Sequence, residues 1–65
     1  GAVKVVEIIG VSEKSWEDAA RNAVAKAAES LEGITGVEAV SFTAKVTDNK
    51  VASYNTTCKI AFVVK

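Results

Sequence analysis

The chain has 65 residues, 49% of them hydrophobic, with eight Lys and Arg against eight Asp and Glu and no histidine. That is one small domain spanning residues 1–65, and a core of this size supplies only about 3–5 kcal/mol, so such chains need a staple. The lone Cys58 excludes an internal disulfide and, without histidine, the usual zinc clusters, which leaves self-association.

Zero net charge without a run of Lys or Arg argues against a nucleic-acid partner. The apolar runs are far shorter than the roughly 20 residues of a membrane span, so no membrane partner is expected either. No signal-peptide pattern opens the chain, and a single thiol fits a reducing, cytoplasmic compartment.

Residues 2–9 (AVKVVEII) are rich in β-branched side chains and stop at Gly10, which predicts a strand. Lys4 and Glu7 are its only charges, so either both faces are covered or one face meets another subunit. Residues 11–32 hold a helix. Ser12 or Ser15 is placed to cap it, with Glu17 and Asp18 in the first turn, where the helix dipole favours acids. Trp16, Ala19, Ala20, Ala23, Val24, Ala27, Ala28 and Leu31 recur at helical spacing and form one apolar stripe. Glu17, Arg21, Asn22, Lys26 and Glu29 take the other side, and Gly33 is placed for a C-terminal cap. The stripe is mostly alanine, which lets a helix lie close to a sheet but buries little area per residue.

Residues 37–47 and 50–65 are two further strands joined near Asp48-Asn49. A two-residue loop would pair Phe42 with Asn55 and mix apolar and polar residues on both faces. A three-residue loop pairs even with even, leaving Val40, Phe42, Ala44, Val46, Ala52, Tyr54, Cys58, Ile60, Phe62 and Val64 on one face and Ser41, Thr43, Lys45, Ser53, Asn55, Thr57 and Lys59 on the other. A one-residue slip flips every side chain, so the clean separation favours the three-residue loop, with Asn49 as its left-handed residue. The fold class is α+β, a β-α-β-β protomer. Its antiparallel sheet has the order 1-3-2, with the helix on the even face. A helix about 24 Å long cannot cover a hairpin about 47 Å long. The distal apolar residues Phe42 to Val46 and Ala52 to Tyr54 are therefore expected to meet another subunit.

In order and spacing, the segments KVVEIIG, VSEKSWEDAARNAVAKAAESL, VEAVSF and YNTTCKIAFVVK resemble the dodecin family over essentially the whole length. The resemblance implies a β-α-β-β protomer assembling into a hollow dodecameric shell, many of whose members bind flavins in pairs across two-fold axes. In flavin-binding members a tryptophan opening the second strand stacks on the isoalloxazine ring; Gly36 occupies that position here. A glutamine on the third strand that contacts the flavin corresponds to Asn55, one methylene shorter, and a glutamate two residues after the tryptophan is retained as Glu38. The implied ligand site is Gly36, Glu38 and Asn55, impaired for FMN, FAD or riboflavin, since a stacked ring is worth about 1–3 kcal/mol. The chain looks closer to a subgroup that lacks the tryptophan and is described as calcium-binding.

The remaining residues offer no catalytic set. Cys58 lies on the apolar face without a histidine base, so it is expected to be core, and Trp16 belongs to the helix stripe. Glu38, placed on the even, apolar face, is expected to need an intersubunit cation or to contact a ligand or metal. Calcium needs six to eight oxygens. Neither Asp48-Asn49 nor the acids Glu13, Glu17 and Asp18 supply them alone, so only symmetry-related copies could. The expected function is a non-enzymatic, oligomeric small-ligand binding or sequestering protein with an impaired flavin site and calcium as a further ligand. The alternatives are a working flavin store and a purely structural oligomer or protein-binding adaptor.

Overall fold

The computed structural model describes residues 1–65 as β1 (Ala2–Ser12), α1 (Trp16–Ala28), β2 (Ile34–Thr47) and β3 (Lys50–Val64). The three strands form one antiparallel sheet in the order β1-β3-β2, and the helix lies across one face, as the sequence predicts. The first strand runs past Gly10 to Ser12, because the expected stop at the glycine is a packing site rather than a turn. A Cβ at Gly10 would lie 2.9 Å from the Ala23 Cβ and would also run into the Ala19 carbonyl. The bare backbone of Gly10 therefore sets how closely α1 approaches the sheet, and Ala19, Ala23 and Ala27 are the buried helix residues that use this space.

Ser15 is the N-cap, its hydroxyl accepting from the Asp18 N–H at 2.9 Å. Ser12 instead donates its hydroxyl to the Asp18 carboxylate at 2.6 Å and accepts from the Lys14 N–H at 2.9 Å, which fixes the link from β1 to α1. The helix ends sooner than the stripe implies. Glu29 is the C-cap, with its N–H on the Lys26 and Ala27 carbonyls, so Gly33 is not the cap. Gly33 has a φ of 73° in the turn that enters β2, where its carbonyl accepts from Val63 N–H.

The hairpin loop is a correction. It is the two-residue loop Asp48-Asn49, flanked by Thr47↔Lys50 and Val46↔Val51, with φ of 53° and 64°. Positive φ at both central residues is the geometry that matches strand twist, and Asp and Asn tolerate it. Even-with-even pairing still holds beyond it, from Lys45↔Ser53 to Ser41↔Thr57, because Ala52 is an extra residue in β3. The clean separation of faces is thus achieved by a bulge in the strand rather than by a third loop residue.

The core is small: eight of 65 residues are buried, too few for a self-sufficient domain. Ala23, Ala27, Cys58 and Ile60 form its centre, with Val6, Ile8, Ala20, Val24, Leu31 and Ile34 packed around them. The 13-residue helix, about 20 Å long, lies on a body 49 Å in its longest dimension. Phe42, Val46 and Val51 in the uncovered hairpin are 58%, 61% and 53% exposed. Trp16 reaches toward this region. Its indole N–H donates to the Thr43 carbonyl at 2.7 Å, and its ring meets Tyr54 and Phe42 edge-on at 5.0 and 6.1 Å.

Gly10→Ala should cost about 1–3 kcal/mol by forcing α1 off the sheet, read as a lower denaturation midpoint. A variant as stable as the parent would mean that the helix shifts at no cost. Trp16→Phe, which keeps a ring but removes the indole donor, should lose about 1 kcal/mol in the same measurement.

Candidate ligand-binding cleft

A second bulge builds the site. Between Ser41↔Thr57 and Ala39↔Cys58, Val40 is an extra residue in β2. Because side chains alternate along a strand, the extra residue reverses the faces of everything upstream of it. Ala39 and Val37 turn toward the helix, opposite Cys58 and Ile60, while Glu38 and Gly36 turn to the far face, opposite Lys59 and Ala61. This corrects the placement of Glu38 on the apolar, helix-facing side. Its carboxylate lies beside a lysine and in the open, so it has no desolvation penalty to offset within the protomer. A third irregularity at Thr35 returns Ile34 to the helix side, opposite Phe62.

On the far face Val5, Gly36, Glu38, Lys59 and Ala61, with the strand at Val37 between Gly36 and Glu38, line an open cleft of about 540 Å³. Its floor is one row across the three strands, Val5–Ala61–Gly36, and the next row is Glu7–Lys59–Glu38. Nothing lies within 4 Å of where a Cβ on Gly36 would sit, and its φ is outside the left-handed region. The glycine leaves a gap in the floor and is not demanded by the backbone.

Of the three residues expected to form the site, the structure brings Gly36 and Glu38 together. Asn55 shares their face, opposite Val11 and Thr43, but it lies four residues along β3 from Lys59, or about 13 Å, so one protomer does not bring it to the cleft. Lys59, Val5 and Ala61 were missed by sequence reasoning. The signal for Lys59 was present: both Glu7 and Glu38 face it in register, but only once the Val40 bulge is known.

The other polar groups are committed elsewhere. Asp18 accepts from Ser12, and Glu17 pairs with Arg21 at 2.6 Å on the exposed helix surface. No three His, Cys, Asp or Glu side chains converge on a common point within the protomer. Trp16 lies with Phe42 and Tyr54, outside the cleft lining. Cys58 is fully buried beneath the helix with its thiol directed to the Thr56 carbonyl at 3.6 Å, and burial raises its pKa.

The sequence matches the family model described as Dodecin over residues 2–65. The chain belongs to the dodecin family. Its fold is similar to dodecin from Streptomyces davaonensis at a TM-score of 0.94 and 25% identity, covering 98% of this chain and 94% of that one. For dodecin from Streptomyces coelicolor the TM-score is 0.95 and the identity 26%, covering 98% and 91%. The calcium chelating immunodominant antigen of Mycobacterium tuberculosis, a calcium dodecin with a novel calcium-binding site, is 30% identical at a TM-score of 0.87, covering 100% and 93%. No curated protein sequence matches the chain. No helix is long and apolar enough to cross a membrane.

Because the thiolate is the reactive form of cysteine, Cys58 should resist alkylation by iodoacetamide at pH 8 in the folded protein and react fully in denaturant. Rapid labelling without denaturant would show that the helix opens away from the sheet.

Proposed function

We propose that this dodecin is a non-enzymatic, cytoplasmic shell protein that binds a small planar ligand between copies, with a flavin site weakened by the loss of its stacking ring. The observation that carries this reading is the cleft at Gly36. It has the open floor and the flanking Glu38 that a ring-binding site needs, and empty space where a stacking side chain would stand. Exposed Phe42, Val46 and Val51, with the few buried residues, support a large homo-oligomer, a dodecamer by family. In such an assembly Asn55 reaches a ligand only from a neighbouring copy.

Gly36→Trp tests the reading. Added ring faces are worth about 1–3 kcal/mol, or roughly ten- to a hundredfold in affinity, read by quenching of riboflavin fluorescence. Asn55→Gln should add less, near the roughly 1 kcal/mol of one hydrogen bond. Tight, stoichiometric flavin binding by the unmodified protein would favour the working flavin store instead. An assembled Gly36→Trp protein with unchanged affinity would refute the placement of the ring over Gly36.

A second reading, calcium held between copies, is favoured by the identity to the calcium dodecin and by the carboxylates Glu7 and Glu38 on one face. Calcium raising the melting temperature where riboflavin does not would support it.

Phe42→Asp should dissociate the shell. A buried, unpaired charge costs several kcal/mol, and symmetry repeats it in every copy. Sedimentation that finds the parent protein as a stable folded monomer at micromolar concentration would remove the basis of the assembly.

A further inference from the structure

The row Glu7–Lys59–Glu38 crosses the whole sheet immediately beside the cleft floor. Its net charge is −1, and none of its members is held in an ion pair; the two ion pairs of the chain, Glu17–Arg21 and Lys26–Glu29, both lie on helix residues and the C-cap. Its surroundings on the β1 side of this face are apolar, with Val3, Val5, Ile9 and Val11 all more than half exposed, while the next row on β3 and β2 is Thr57 and Ser41. The further charged side chains along this face are Lys45, opposite Ser53 and about 20 Å from the row, and at the other end Lys65, four residues or about 13 Å beyond Ala61, which shares a hollow with Glu32 and Val63. A ligand lying on Val5–Ala61–Gly36 is within about 7 Å of the charged row, two strand residues away. That is inside the Debye length of about 8 Å at physiological salt. Covering the cleft with another copy lowers the local dielectric and strengthens the effect.

We infer that the cleft selects its ligand by charge: it takes an uncharged planar heteroaromatic and disfavours the same ring carrying a phosphate, with Glu7 and Glu38 as the rejecting groups and Lys59 limiting the rejection. This rests on the reading that a flavin-like ring lies over Gly36. The register supplies the logic. Lys59 stands between two carboxylates and offsets one of them, so the row as a whole repels an anion tethered to the ring by a short chain. The apolar side chains around it suit the ring itself. Specificity here comes from a repulsive element rather than an added attractive one.

The test compares riboflavin with FMN by fluorescence quenching, in the parent protein and in the Gly36→Trp background, where ring binding is strengthened. Light scattering first establishes that each variant assembles. Riboflavin should bind several-fold more tightly than FMN. Glu38→Gln and Glu7→Gln should each narrow that ratio, Lys59→Gln should widen it, and half-molar salt should compress it. Equal affinities, a preference for FMN, or a ratio unmoved by the carboxamide variants would overturn the charge selection while leaving the ring-binding reading standing. If neither flavin binds even in the Gly36→Trp background, the ring-binding reading fails and the selection falls with it.

Discussion

The closest constraint in the protein is the contact of Gly10 with the helix. Strand and helix approach until a single Cβ would not fit, and the helix meets that approach with Ala19 and Ala23. Several other features depend on it. The helix, held this close, seals Cys58 and Ile60 beneath small side chains. It also brings Asn22 to the end of β1, where its amide donates to the Val11 carbonyl at 2.9 Å, and lets the Thr56 hydroxyl donate to the Trp16 carbonyl at 2.8 Å. Every buried side-chain polar atom is thereby satisfied, as a thin core in which each orphan costs about 1–3 kcal/mol requires.

Close packing with alanine has a cost in buried area. At roughly 25 cal/mol per Å², an alanine stripe contributes far less than the same stripe of leucine. The chain has apolar residues in quantity, but many lie on the far face of β1 and in the distal hairpin, where no element of the same chain reaches them. Trp16 is the exception. It is 40% exposed, and its ring and N–H tie the start of the helix to both strands of the hairpin. The apolar surface left over is of the kind that association with further copies removes from water.

Strand order, helix position and the even face of β3 were legible in the sequence, because alternation and helical spacing report directly on which side is covered; the near-continuous apolar run of β1 did not reveal which of its faces the helix covers. The identity of the hairpin loop was not. Either loop length presumes regular strands, and the real solution spends the odd residue at Ala52 instead. The same assumption misplaced Glu38. Val40 is an ordinary β-branched residue in an ordinary apolar alternation, and nothing in its chemistry announces an unpaired position. Gly36 was placed at the stacking position by family resemblance alone, and its open surroundings and its proximity to Lys59 required the register. Asn55, placed in the same site by family resemblance, is separated from it by the length of strand between Lys59 and Thr43's partner, a distance invisible to residue-by-residue matching.

The Val40 bulge also bears on how such a cleft changes over generations. Closing that bulge with Val40 retained and paired to Cys58 would turn Glu38 and Gly36 inward toward the helix and turn Val37 and Ala39 out, exchanging a charged wall for an aliphatic one. Such a closure would be purged, since a carboxylate would enter the core. A bulge that migrates along β2 is different. It needs no gain or loss of residues, only a new point at which β3 counts one and β2 counts two. Each step would expose another pair of side chains to the ligand. The repertoire of this surface can therefore drift by changes in pairing register, with the amino acids that form it left almost as they are.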